Sequence, residues 1–141
     1  MIQVGKYAQE GVVRMAHTKL RKETEAIVKY VLYDYPKLDG YIKKELEKVK
    51  EPYPNYRGQP IVLVKSMTLI ERSREQKEII ESLLERSPEW VQELIELMYF
   101  NNKRYTVTLA SELVGYDRRT GQKYHKEFLH QLATELGIWT G

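Results

Sequence analysis

The apolar positions of this chain recur at spacings of three and four, the period of helices that bury one stripe and wet the other. From Thr18 to Tyr35 the stripe is Leu20, Ile27, Val31 and Tyr35, and Pro36 is expected to stop the helix. Leu38, Tyr41, Ile42, Leu46 and Val49 define a second amphipathic helix, with Lys43, Lys44, Lys48 and Lys50 largely outside its stripe. Glu51 to Pro60 then holds three prolines and a glycine. A helix does not survive that composition, so residues 51–60 read as a linker and as the best domain boundary.

Beyond it, Ile61 to Arg86 predicts a long helix, although Ile61-Val62-Leu63-Val64 also fits a short extended piece. Ile79, Ile80, Leu83 and Leu84 face a core. Ser87-Pro88-Glu89 is a restart signal: a capping residue, a proline at the first helical position and an acid near the positive end of the helix. Trp90, Leu94, Leu97 and Met98 form the next stripe, which ends near Asn101-Asn102, and Trp90 and Met98 are read as core. Residues 1–16 have weak periodicity and stay unassigned.

The last third is the most specific. Thr108 is placed to cap a short helix, Leu109-Ala110-Ser111-Glu112-Leu113, which Gly115 then breaks. Asp117 is a good N-cap for a longer helix from Arg118 to about Leu136, with Gly121, Tyr124, Phe128, Leu132 and Leu136 facing inward. Ala110 and Gly121 let the two helices approach closely. The outward face of the first turns carries Arg118, Arg119, Gln122, Lys123 and Lys126. A helix pair with a Gly turn and so much charge beside a bidentate amide suits the major groove of DNA, as a helix-turn-helix over residues 106–136.

A basic helix face is also what an ordinary solvated surface looks like, so the charge distribution matters. Asp117 to Lys126 holds four basic residues against one acidic, whereas Glu71 to Glu96 holds four against eight. The net charge of +3 over 141 residues therefore conceals a local basic patch, the electrostatic footprint of nucleic-acid binding.

Composition removes other classes. With no cysteine there is no disulfide framework and no thiolate metal site. No apolar run approaches the roughly twenty residues of a membrane span, and Met1 to Lys6 lacks a signal-peptide core, so a cytoplasmic protein is expected. His125 and His130 are five apart and do not share a face as metal ligands would; with His17 they are read as surface or boundary residues. Thr106, Thr108 and Ser111 have no base in a recognisable arrangement, Glu45 and Glu47 are explained by ion pairing, and no Gly-rich phosphate loop exists. No enzyme, cofactor or metal is expected. Eleven tyrosines suit surfaces that are half packed and half wet. Tyr53, Tyr56 and Arg57 either pack on the N-terminal helices or touch a sugar-phosphate backbone.

Three stretches resemble the RinA/ArpU-type transcriptional regulators of bacteriophages of Gram-positive bacteria. They are Tyr30 to Ile42, a tyrosine-proline helical hairpin followed by charge; Gln76 to Phe100, a helix pair; and Leu109 through Arg118-Arg119-Thr120 to Gly137. No single short motif among them is diagnostic, and their order and spacing carry the likeness. The resemblance implies a C-terminal unit similar to region 4 of bacterial sigma factors, activating phage late genes, often those for DNA packaging. Gly121 departs from it, standing where a larger apolar residue is common, which is expected to loosen the helix pair by up to roughly 1 kcal/mol.

The expected architecture is all-α: an N-terminal helical hairpin within residues 1–50, a Pro-rich linker over 51–60 and a helical DNA-binding domain over 61–141 that folds alone. Arg118, Arg119, Gln122 and Lys123 would read base edges, and Lys103, Arg104, Tyr105, Thr108 and Lys126 would hold phosphates. Double-stranded DNA is the expected partner, in the nucleoid of a bacterial host. The hairpin would meet RNA polymerase or a second protomer. A small-terminase-like packaging protein and a helical adaptor without nucleic acid are the alternatives.

Overall fold

A computed structural model of the chain describes residues 20–50 and 60–138. The unassigned start, His17, Tyr53, Tyr56, Arg57 and most of the expected linker lie outside them. Among the described residues all regular structure is helical. The helices are α1 (Lys22–Asp34), α2 (Leu38–Lys50), α3 (Pro60–Glu85), α4 (Glu89–Tyr99), α5 (Val107–Leu113) and α6 (Arg118–Glu135). No described helix is long and apolar enough to cross a membrane.

The first α-helix ends at Asp34, just before Pro36, as its sequence predicts. Pro36 sits in a 3-10 turn, Tyr35–Lys37, that carries the chain from α1 directly into α2. Pro60 opens α3, where its missing N–H would have had no partner in any case, and the extended alternative for residues 61–64 is replaced by helix.

The expected hairpin of α1 on α2 is not how these helices pack. α1 lies against α6 and α4, while α2 runs along α3. Near the start of α2, Asp39 pairs with Lys77 in the second half of α3 at 2.9 Å. Glu45, farther along α2, hydrogen-bonds the buried Ser66 in the first half of α3, so the two helices are antiparallel. With α6 and α4 as its partners, α1 buries Val28 and Leu32, and Ile27 from the expected stripe is half exposed.

One core joins the first helix to the last. Val28 and Leu32 of α1 cluster with Ile80 and Leu83 of α3, Leu94 and Ile95 of α4, Ala110 of α5, and Phe128 and Leu132 of α6. Burying a side chain of this size stabilises by about 1.5–3 kcal/mol, so α1 contributes substantially to the helices beyond the proline-rich stretch. At the α3–α4 corner Pro88, not Ser87, occupies the N-cap position. Ser87 instead donates its hydroxyl to Leu83 O at 2.8 Å. Arg86 closes the other side, with 2.7 and 2.8 Å hydrogen bonds to the two Glu135 carboxylate oxygens at the end of α6.

Candidate nucleic-acid interface

The short helix α5 starts earlier than its sequence suggests. Thr106, not Thr108, is the N-cap, its hydroxyl accepting from Leu109 N at 3.2 Å. Val107 packs against the core and draws the first turn forward, which leaves Thr108 half-buried inside the helix.

The turn after α5 is a closed hydrogen-bonded unit. Gly115 has φ of +89°, which a side chain would oppose. Tyr116 N donates to Ser111 O at 2.9 Å and Gly115 N to Glu112 O at 3.1 Å, the paired bonds of a Schellman C-cap. Tyr116 then stacks on Trp90 of α4, with ring centroids 3.9 Å apart and planes 20° apart. Tyr124 of α6 meets the same indole edge-on at 4.8 Å. Trp90, half-buried against the core, is thus also a clamp: it ties α4 to the turn and to α6, at about 0.5–1.5 kcal/mol per aromatic pair beyond area burial.

Close approach of α5 and α6 depends on Gly121. A Cβ there would collide with the side chain of Ser111, which is fully buried and donates to Val107 O at 2.6 Å. Gly121 is therefore the complement of Ser111. It makes the approach possible instead of loosening it.

Asp117 caps α6 as its sequence predicts, accepting from Thr120 N at 2.9 Å. Hydrogen bonds from Thr120 hold its carboxyl below the usual range, so the cap is charged at neutral pH. Arg119, Gln122, Lys123 and Lys126 follow the i, i+3, i+4, i+7 spacing of one helix face, with Arg118 in the first turn beside them. The four cations are exposed and Gln122 is half-buried. None of the four forms a salt bridge among the described residues. Elsewhere Lys29 pairs with Glu25, Lys48 with Glu45, Lys77 with Asp39 and Arg86 with Glu135.

The inward face of α6 is rotated slightly from the one expected. Gly121, His125, Phe128, Leu129, Leu132 and Ala133 are buried, and Tyr124 and Leu136 are only partly so. His125, read from sequence as a surface or boundary residue, lies in the core and shares a 2.6 Å hydrogen bond with the Tyr99 hydroxyl. Burial, reinforced by Lys29, pushes its imidazole down to about 4, so it is neutral at physiological pH. Burial also raises the Tyr99 phenol, and the pair is a neutral polar contact joining α4 to α6. No cluster of three or more His, Asp or Glu is placed to hold a metal among the described residues.

The phosphate-holding candidates come from three different elements. Lys103, Arg104 and Tyr105 share the loop before α5, Thr108 lies within α5, and Lys126 belongs to the α6 stripe. Arg104 has φ of +48°, rare for a side-chain-bearing residue. It is held by its N–H donating to Asn101 O at 3.0 Å and by its guanidinium stacking 4.2 Å above the Tyr33 ring. Its charge is exposed but its position is set by α1. Tyr105 is half-buried, with its N–H donating to Leu97 O at 3.2 Å.

Three features were missed from sequence: the Trp90 clamp, the Ser111–Gly121 fit and the buried His125–Tyr99 pair. The second had a signal, since Ser111 adjoins the small Ala110 on the helix facing Gly121. The others join residues of separate helices whose pairing no local spacing announces. Comparison of the chain with protein-family models, curated proteins and solved structures finds no match.

Proposed function

We propose that residues 106–136 form a helix-turn-helix that binds duplex DNA, with the first turns of α6 entering the major groove. The observation that carries this reading is the stripe of Arg119, Gln122, Lys123 and Lys126, with Arg118 beside it, whose cations are exposed and form no salt bridge among the described residues, on a helix whose start is capped by Asp117. Arginine and lysine favour guanine and glutamine favours adenine, so this set can discriminate bases as well as attract phosphate. The aromatic clamp and the tight Ser111–Gly121 approach support the reading, because a base-reading helix must be held at a fixed angle to its neighbour. Lys103, Arg104, Tyr105, Thr108 and Lys126 hold the flanking backbone and set register.

The wider role is transcription activation of phage late genes in the bacterial cytoplasm, through the likeness of three stretches to RinA/ArpU-type regulators. Residues 18–50, with nine basic and six acidic residues from Lys19 onward, would face RNA polymerase or a second protomer. The exposed Tyr30 and Tyr41 favour that role, whereas Tyr33 and Tyr35 are occupied by packing on Tyr99 and Phe100.

A salt titration tests the DNA reading. Affinity for duplex DNA is expected to fall with a log–log slope near −0.9 per phosphate neutralised, for about four to six contacts per protomer. A flat titration would reject the DNA face and favour a helical adaptor. Selection of bound fragments from a phage genome identifies the site, and a ring of many subunits would favour the packaging role.

A further inference from the structure

A concave surface beside α5 takes no part in the basic stripe. The second half of α4, the residues after it and the end of α5 surround an open groove of about 640 Å³, lined by Glu93, Glu96, Leu97, Phe100, Leu113 and Val114 together with Asn101. Leu97 and Phe100 form its apolar floor, being partly buried against the core. Leu113 is 57% exposed, and Leu109, one turn earlier on the same face of α5, is 43% exposed. Two exposed leucines four apart on so short a helix leave an apolar strip that no other described residue buries.

The rim is acidic. Glu93 and Glu96 are exposed and lie on one face of α4, with Glu89 a turn earlier in the same row. None of the three has a salt-bridge partner among the described residues, in a protein whose other helices pair Glu25, Glu45 and Glu135 with nearby cations. A nucleic-acid occupant is disfavoured, since these carboxylates repel phosphate. The basic helix α2 of a second copy does not fit, because its apolar side already lies on α3.

We infer that this groove docks an amphipathic helix of a partner protein whose apolar stripe is flanked by lysine or arginine. Its apolar residues seat over Leu97, Phe100 and Leu113, and its cations meet Glu93 and Glu96, the helix-in-groove mode with charge at the rim. No groove residue belongs to α6, so docking and DNA binding use separate residues. The groove would let the protein hold a basic partner while its opposite charge engages DNA.

The probe is a synthetic 18-residue helical peptide of Leu and Lys at amphipathic spacing, titrated by amide NMR into the full chain without DNA, beside Leu/Gln and Leu/Glu versions. Saturable shifts confined to residues 93–101 and 109–114 are expected, strongest for the Leu/Lys peptide and absent for the Leu/Glu one. Glu93→Gln/Glu96→Gln and, separately, Leu113→Gln should each weaken binding about tenfold, with far-UV circular dichroism showing both variants folded. No saturable binding, shifts elsewhere on the surface, or unchanged affinity in both variants would overturn the inference. Duplex DNA added afterwards reports separately on residues 118–126, so failure of the DNA reading leaves this result standing.

Discussion

A single methyl group at position 121 sets helix propensity against packing. Alanine in place of glycine inside a helix ordinarily stabilises by about 1 kcal/mol. Here the new Cβ would fall on the Ser111 hydroxyl and lie 2.7 Å from Ser111 Cβ. Ser111 has nowhere to go: it is fully buried, and its hydroxyl is committed to Val107 O. Overpacking costs about 1–3 kcal/mol, and an overlap this direct belongs at the upper end, leaving a net loss of about 2 kcal/mol. The melting temperature should drop by roughly 6–8 °C. Adding Ser111→Gly removes both offending atoms and leaves the position 111 Cα at 3.7 Å, an ordinary contact, so the double variant should recover the packing loss. Ser111→Ala should rescue only in part, because its Cβ remains. Urea denaturation followed by circular dichroism of the parent, Gly121→Ala, Ser111→Gly and the double variant completes a double-mutant cycle. A Gly121→Ala protein more stable than the parent, or no coupling between positions 111 and 121, would refute the reasoning.

Arg119→Ala or Gln122→Ala should cost about 1–3 kcal/mol on a selected DNA site and little on random DNA, while Lys126→Ala weakens both alike; equal losses in fluorescence anisotropy for all three would reject base reading. His125 gives a pH dependence: its folded value of about 4 lies below the ordinary one, so the unfolded chain takes up a proton that the fold refuses. That stability is whole above about pH 6.5 and is lost as pH falls toward 4, by up to about 1.4 kcal/mol per pH unit. Glu25, Lys29 and Lys126 also bear on this imidazole, and His125→Gln should flatten the slope between pH 5 and 6.5; an unchanged slope would reject the assignment. Residues 60–138 produced alone should lack a cooperative transition, since Val28 and Leu32 leave the core with α1; a sharply melting fragment would restore the two-part division that sequence suggests.

Much of the helical layout was legible because its signals are local. Asp117 is a capping residue at the right distance before an apolar period, and Gly115 follows α5 where a left-handed residue is needed. The basic stripe was equally visible, as helical spacing alone places Arg119, Gln122, Lys123 and Lys126 together. What sequence could not provide was the choice of partner. Ile27 and Val28 are both apolar, and only the position of α1 against α4 and α6 decides which is buried. His125 looked like a boundary residue because its partner, Tyr99, comes from another helix 26 positions away. Thr106 and Thr108 both suit a cap, and the packing of Val107 selects the earlier one.

The shared core also orders events during synthesis. α1 emerges from the ribosome first among the described helices, but the surfaces that cover Val28 and Leu32 include α6, made about a hundred residues later. Until then α1 has only part of its shelter, and the chain must close a long loop before the main contacts form. The same closure places Arg104 over Tyr33 and completes the support beneath the basic stripe. A truncated translation product lacking α6 would therefore carry neither a finished core nor the basic stripe.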